Sequence, residues 1–277
     1  MSGKLPITVL VQTKSEAASI GDCVDALTDF DEVIVVDSLS EDGTADIARR
    51  HGARVVDFDW DGRYPKKKQW QLENVETRNE WVLMLDADES PTPELVDALR
   101  REFSSGPVHD AYDVRLSYVF AGRELRYGHR VVKRCLLRRG RARFDPVDDL
   151  EATGAGEVEG HYQPRVDGSI GSVSGRLTHH DRDPVGKWFE RHNRYSDWEA
   201  HLRIRPGTRA AVASSRSRQG RIFDRIPFKP AAFFVYDYVV RLGFLDGRAG
   251  LDYAIALSTY YWQIGLKVRE LRRSIGG

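Results

Sequence analysis

Short apolar runs alternate with longer amphipathic stretches along the first hundred residues, with brief polar loops between them. That order belongs to a parallel sheet whose crossovers are helices. The runs predict strands over residues 7–12, 33–37, 54–57 and 81–86, and helices over 18–27, 44–51, 67–76 and 93–103. Beyond residue 110 the pattern changes to strand-like segments at 112–120 and 130–138, followed by a Gly-rich stretch from 154 to 175 that reads as irregular. A mixed sheet is the economical arrangement for that half. Helical periodicity starts again at 187, breaks in a polar segment around 206–220, and returns in aromatic-rich helices over 231–242 and 250–273. The expected fold is therefore α/β, a mixed sheet flanked by helices. Its division is a body over residues 1–200 and a helical extension over 201–277.

Composition narrows the picture. With 277 residues and 41% hydrophobic content the chain can fill a sizeable core. The 42 basic and 42 acidic side chains cancel, so a nucleic acid is not the expected partner of the whole molecule. The cancellation hides an asymmetry: from residue 201 onward 14 Lys and Arg face 5 Asp and Glu, a net of +9, which leaves −9 on residues 1–200. The basic extension also carries Phe228, Phe233, Phe234, Tyr253, Tyr260, Tyr261 and Trp262. Rings and cations on interrupted helices fit a membrane surface, with packing on the body or against another subunit as the alternatives. Cys23 and Cys135 lie in apolar segments without metal-binding neighbours and read as reduced core thiols. The polar start at residues 1–7 is no signal peptide, and no apolar run reaches spanning length. The expected location is cytoplasmic, peripheral on the inner face of the membrane.

Chemistry gathers at strand ends. The run Leu83-Met84-Leu85 closes in Asp86-Ala87-Asp88-Glu89. Residues two apart on a strand share a face, so Asp86 and Asp88 can converge beyond the sheet edge, where hard oxygens suit Mg²⁺ or Mn²⁺. The bland alternative is a solvated strand end leading into the helix that Ser90-Pro91-Thr92-Pro93 begins. The run at 33–36 delivers Asp37 into a polar turn, Ser38-Leu39-Ser40-Glu41-Asp42-Gly43-Thr44, where a nucleoside could be met or a turn simply formed. The first strand ends in Gln12-Thr13-Lys14-Ser15-Glu16. No Gly-x-Gly-x-x-Gly and no Gly-Lys-Ser/Thr follows any strand, which argues against dehydrogenases and P-loop ATPases.

Taken together, the Thr13-Lys14-x-Glu16 strand end, the turn from Asp37 to Thr44 and Leu85-Asp86-Ala87-Asp88-Glu89 resemble family 2 glycosyltransferases. The likeness to the branch with lipopolysaccharide-core β-glucosyltransferases runs through Arg191-His192-Asn193-Arg194-Tyr195-Ser196 to Gly243-Phe244-Leu245-Asp246-Gly247-Arg248. The resemblance implies a glycosyltransferase-A type, Rossmann-like fold. It also implies inverting transfer from a nucleotide-diphosphate sugar, with UDP as nucleotide, to a glycan or lipid-linked acceptor. Carried over by position, Thr13, Glu16 and Asp37 hold the nucleoside, Asp86 the ribose or metal, and Asp88 the Mn²⁺ or Mg²⁺. His179 completes the metal site and Lys68 faces the donor. A solvated helix face is the alternative for Lys66-Lys67-Lys68. Leu39 stands where the family carries glycine, so the loop after Asp37 is expected to take another shape.

Inversion needs one carboxylate as base beside the acceptor. The branch carries Val-His-Glu, whereas this chain reads Gly156-Glu157-Val158-Glu159-Gly160-His161. Glu159 is the expected base, Glu157 the next, with Asp148 and Asp149 behind them. Arg194 or Arg191 would clamp the diphosphate. A nucleotidyltransferase and an inactive nucleotide-sugar or lipid-binding scaffold are the competing readings, and a homo-oligomer is compatible with any of them.

Overall fold

In a computed structural model, which describes residues 3–152, 155–159, 162–180, 184–205, 207 and 226–276, the four apolar runs form β1 (Leu5–Thr13), β2 (Phe30–Asp37), β3 (Arg54–Asp57) and β4 (Trp81–Asp86). They lie parallel in the order β3-β2-β1-β4. The helices α1 (Ile20–Asp25), α2 (Thr44–Arg50), α3 (Lys67–Asn74) and α4 (Pro93–Ser105) connect them or follow β4. Central β1 is buried at every position but Pro6, and β4 at every position but Asp86, as expected of parallel strands covered on both faces.

The second half of the sheet is mixed. β8 (Val131–Arg138) runs antiparallel to β4, and β6 (Ala111–Phe120) antiparallel to β8. β11 (Ile170–His179) is parallel to β6 and takes β5 (Glu89–Pro91) antiparallel on its far side. β7 (Arg123–Glu124) folds back on β6, while β9 (Ala142–Arg143) and β10 (Arg165–Val166) pair apart from the sheet. The stretch expected to be irregular up to residue 175 is thus partly strand. Its Gly and Ser positions hide β11, and Gly175 is where β11 crosses the start of α4. There φ is +85° and a Cβ would fall 2.3 Å from the Leu95 nitrogen, so a side chain is excluded on two counts.

Helix α5 (Val185–Ile204) follows. The helix expected over 231–242 is instead α6 (Lys229–Phe234), a π-helical turn at Val235–Val240 and a 3₁₀ turn at Gly243–Asp246, before the long α7 (Gly247–Gly276). The polar break around 206–220, apart from residue 207, and residues 160–161 lie outside the described residues. Among the described residues no helix is long and apolar enough to cross a membrane. Part of the aromatic stripe faces inward: Tyr253, Ala256 and Leu257 of α7 join Phe233 and meet Phe120, Leu125 and Trp188 in a second apolar cluster beside the main core. Lys267 fixes α7 to α5 through Asp197 at 2.6 Å and the Asn193 carbonyl at 2.8 Å. Both cysteines are free and buried, as expected.

Lys66 and Asp149 form a sealed ion pair, 1% and 0% exposed, with the ammonium 2.9 and 3.0 Å from the two carboxylate oxygens. Tyr64 Oη and Trp198 Nε1 each donate to the same carboxylate at 2.7 Å. The network joins the loop before α3, the loop after β9 and helix α5. Removing one partner of such a pair leaves the other charge buried and alone. Asp149→Ala is therefore expected to lower unfolding free energy by about 3–5 kcal/mol, measured by urea denaturation, whereas Lys66→Met combined with Asp149→Leu recovers only part of that loss, because the Tyr64 and Trp198 donors still lack their acceptor.

Candidate active site

The register of β1 builds the site. Gln12 lies opposite Asp86 on one side and Thr13 opposite Asp37 on the other. Successive side chains point to opposite faces, and each finds its carboxylate: Gln12 Nε2 donates to Asp86 Oδ1 at 2.6 Å, and Thr13 Oγ1 to Asp37 Oδ1 at 2.8 Å. Asp37 is 1% exposed and also accepts the Ser40 amide at 2.8 Å and the Ser40 hydroxyl at 2.7 Å. Its carboxylate is turned into its own loop. Leu39 takes φ 53° there, the left-handed backbone a glycine adopts freely. Holding an exposed leucine in that region costs about 1–2 kcal/mol, a cost the Asp37 hydrogen bonds offset. Glu16 stands at the entry to α1, with its carboxylate accepting from Ser19 Oγ at 2.7 Å and its amide donating to Thr44 Oγ1 at 2.8 Å.

Beyond β4 the carboxylates cluster around a cation the sequence reading did not single out. Past the last paired residues of β4 and β8, Leu83 and Leu136, the side chain of Lys133 reaches Asp86. Its ammonium donates to Asp86 Oδ2 at 3.0 Å and to Glu89 Oε2 at 2.5 Å. Glu89, 1% exposed, also accepts the Asp86 amide at 3.0 Å. Burial raises the Asp86 carboxyl, but Lys133 and Lys68 outweigh it and hold the group well below the usual carboxylate range. Burial pushes Glu89 up to about 7 against the pull of Lys133. The only signal was a lysine two residues before the buried run Cys135-Leu136-Leu137, and the register shift that follows Arg134 in β8 breaks the alternation that would have assigned its face.

Asp88 Oδ2 lies 3.2 Å from His179 Nε2, with Asp86 within electrostatic reach. Register puts His179 between Glu89 and Tyr118, whose ring centroid is 5.2 Å from the imidazole. Burial raises Asp88 despite His179. Among the described residues, no three His, Cys, Asp or Glu side chains form a group that could hold a metal by themselves. Asp88 and His179 nonetheless fit one: a hard oxygen beside an imidazole suits Mn²⁺. Gln12 Oε1, Glu89 Oε1 and His179 Nδ1 are buried without hydrogen-bond partners.

The lysine triplet is no solvated face. Lys66 and Lys67 are both 1% exposed. Lys67 Nζ donates to the Thr13 carbonyl at 2.6 Å and lies 3.7 Å from Glu157, and burial lowers it to about 8. Lys68 Nζ lies 5.8 Å from the centre of the Phe144 ring and within electrostatic reach of Asp86. Three cations at a helix start oppose the helix dipole. The segment 157–159 answers them: the Glu157 carbonyl accepts the Lys67 amide at 2.7 Å, and the two Glu159 oxygens accept the amides of Lys68 and Gln69 at 2.7 and 2.8 Å. Glu159 thereby caps α3 from outside the helix. It is 3% exposed, and burial raises its carboxyl against those amide bonds. Glu157 sits further toward the nucleoside side, bound to Lys14 at 3.0 Å and to Ser38 Oγ. Asp148 pairs with Arg205 at 3.3 Å, and Asp149 belongs to the sealed pair. Arg194 is exposed on α5, and with Arg191 it surrounds the half-buried Tyr195, whose hydroxyl also senses Asp86 and Asp88.

A parallel half-sheet with acid-tipped strands, continued by an antiparallel half and helices, is the glycosyltransferase-A type of α/β fold expected above. The model of glycosyl transferase family 2 matches residues 8–200, more than half of the chain, and the chain belongs to that family. An uncharacterized glycosyltransferase of Rickettsia typhi is 26% identical over 273 residues, spanning 96% of this chain and 87% of that protein. The lipopolysaccharide core biosynthesis glycosyltransferase LpsC of Rhizobium meliloti is 25% identical over 299 residues, 97% of each chain. Glucosyl-3-phosphoglycerate synthase from Mycobacterium tuberculosis, solved with Mn²⁺, UDP and glucosyl-3-phosphoglycerate, is similar at 28% identity and a TM-score of 0.32 over 41% of this chain. The match spans 44% of that structure, under half its length.

Lys133→Met would leave Asp86, Glu89 and Asp88 with their nearest fixed cation gone. The expected result is Mn²⁺ affinity of the nucleotide-free protein raised about tenfold or more, read by titration calorimetry, with Lys133→Arg close to wild type. Equal affinities in all three proteins would remove Lys133 from this role.

Proposed function

We propose that the protein transfers a sugar from a nucleotide-diphosphate donor, with UDP as the nucleotide, to a hydroxyl of a glycan or lipid-linked acceptor, with inversion. The observation that carries the reading is the pairing of Asp88 with His179 beside an Asp86 already compensated by Lys133, at the carboxyl edge of a family 2 sheet. Ligands of open α/β sheets sit at that edge. The likeness to LpsC along nearly its whole length supports an acceptor in lipopolysaccharide-core or related envelope synthesis.

In this reading Thr13, Glu16 and the loop that Asp37 holds form the nucleoside end. Asp88 and His179 hold Mn²⁺ or Mg²⁺, with Asp86 directed to the ribose or the same ion. Such an ion supplies electrostatic stabilisation of the charge that grows on the leaving diphosphate, worth several kcal/mol in comparable sites. Lys68 adds a fixed positive charge on the donor side. Arg194 and Arg191 approach from α5, where planar guanidinium groups suit phosphate oxygens. The acceptor proton goes to Glu159. Its burial-raised carboxyl favours proton uptake, and the α3 amides orient it.

Asp88→Ala is expected to abolish donor turnover and to erase the Mn²⁺-dependent part of the thermal shift given by UDP, while the melting temperature without ligand stays near wild type. Full turnover of this variant in the presence of a chelator would reject the metal assignment. Glu159→Gln keeps one capping oxygen, so it is expected to bind UDP normally and to lose acceptor transfer by roughly 100-fold or more. Wild-type transfer rates would exclude Glu159 as the base.

A further inference from the structure

The segment 226–246, which leads into α7, is amphipathic in the wrong sense for water. Its inner face buries a carboxylate: Asp237 is 1% exposed and accepts the His129 amide. Its outer face presents Val235, Val239, Val240, Leu242, Phe244 and Leu245, each 44–64% exposed, with Phe228 at 86% just before. A soluble surface turn would reverse that order, because exposed apolar patches of this kind mark interaction sites.

The segment is held firmly. Asp246 accepts the amides of Arg126 at 3.1 Å and Tyr127 at 2.9 Å, and the Arg241 carbonyl accepts that of Gly128 at 2.9 Å. With Asp237 on His129, four consecutive amides of the 126–129 loop are answered from this one segment. Gly128 has φ +80°, and a Cβ there would lie 2.8 Å from Asp237 Oδ1, so the bare loop backbone packs directly on that carboxylate.

Charge identifies the partner. Lys229 and Arg241 on the segment and Arg123, Arg126 and Arg130 on the loop it clasps, five cations, stand with three carboxylates, Glu124, Asp237 and Asp246, in the same two stretches. Glu124 pairs with Arg176 at 3.2 Å, and the other two carboxylates are bonded to backbone amides. An apolar face rimmed by an excess of cations suits anionic headgroups over acyl chains. Two copies of this chain meeting face to face would set like charges against each other.

Position agrees with that partner. β6 is antiparallel to β8, which is antiparallel to β4, so β4 and β6 point the same way and β11 runs with β6. Their ends at Asp86, Phe120 and His179 share one edge of the sheet. The clasped loop leaves β6 at that edge.

We propose that the outer face of residues 226–246 docks on an anionic lipid surface, with its valines, leucines and Phe244 at the headgroup boundary and its arginines on lipid phosphates. The inference rests on the fold and would hold for a chain with no transferase activity. The test is flotation of the full chain with phosphatidylcholine vesicles, with and without phosphatidylglycerol. Wild type is expected to bind the anionic vesicles. The triple variant Val235→Ser, Val239→Ser, Val240→Ser is expected to lose partition about tenfold or more at an unchanged melting temperature. Arg126→Gln with Arg241→Gln should lose the preference for phosphatidylglycerol, and Trp262→Ser on α7 should bind like wild type. Equal partition of wild type and triple variant, or no binding of wild type to either vesicle, overturns the proposal. So does a wild-type dimer that the triple variant converts to monomer without change in flotation, which would make the face a contact between copies.

Discussion

One ammonium group between a buried carboxylate, Glu89, and a half-exposed one, Asp86, is the constraint on which the rest of the site depends. Asp86, Asp88 and Glu89 fall within four residues at the end of an apolar strand. Left to themselves in a poorly hydrated place, such groups repel and take up protons. Lys133 changes that balance from the neighbouring strand: it stays charged because Asp86 and Glu89 outweigh the penalty of burial. Its two bonds tie β8 to β4 and to β5. With Asp86 and Glu89 bound to Lys133, Asp88 is the carboxylate of the three whose oxygen lies against the His179 imidazole.

A second dependence runs through α3. Its start carries three lysines, the poorest composition for that end of a helix, and residues 157–159 from a distant part of the chain supply the missing acceptors. The helix and that segment therefore form one unit. The position of Lys68 is set by a carbonyl and a carboxylate more than eighty residues away in sequence, as the separation of 91 between Lys68 and Glu159 records.

The parallel half of the fold was legible because its strands are buried on both faces and read as continuous apolar runs. β3 and β4 have the bounds that the pattern predicts, whereas β1 and β2 begin a few residues earlier, where Pro6 and the Asp31-Glu32 pair interrupt the signal. β11 was missed because β5 covers only its last three residues, and along the open part before Leu177 glycine and serine replace apolar residues. The π-helical turn was missed because its wider period keeps the three valines outward while Asp237 goes inward. In the candidate site, Asp86, Asp88 and Asp37 stand out as strand-end carboxylates, whereas Thr13 and His179 are named by the family resemblance. Lys133, Gln12 and the buried Lys66 and Lys67 could not be placed that way, since their partners lie across the sheet or in distant loops. A charge run in sequence looks the same whether water or a carboxylate answers it.

The crossing of β11 over α4 at Gly175 has a structural consequence well beyond its own turn. β11 carries β5 on its outer side, and β5 begins with Glu89, so the edge of the sheet and the acid that grips Lys133 both hang from a strand that reaches its place only by pressing bare backbone against Leu95. A single methyl group inserted there would act as a spacer. It would lift the outermost strand pair from the helix beneath it and move an acidic anchor eighty-six positions earlier in the chain, although the altered residue touches none of the reacting groups.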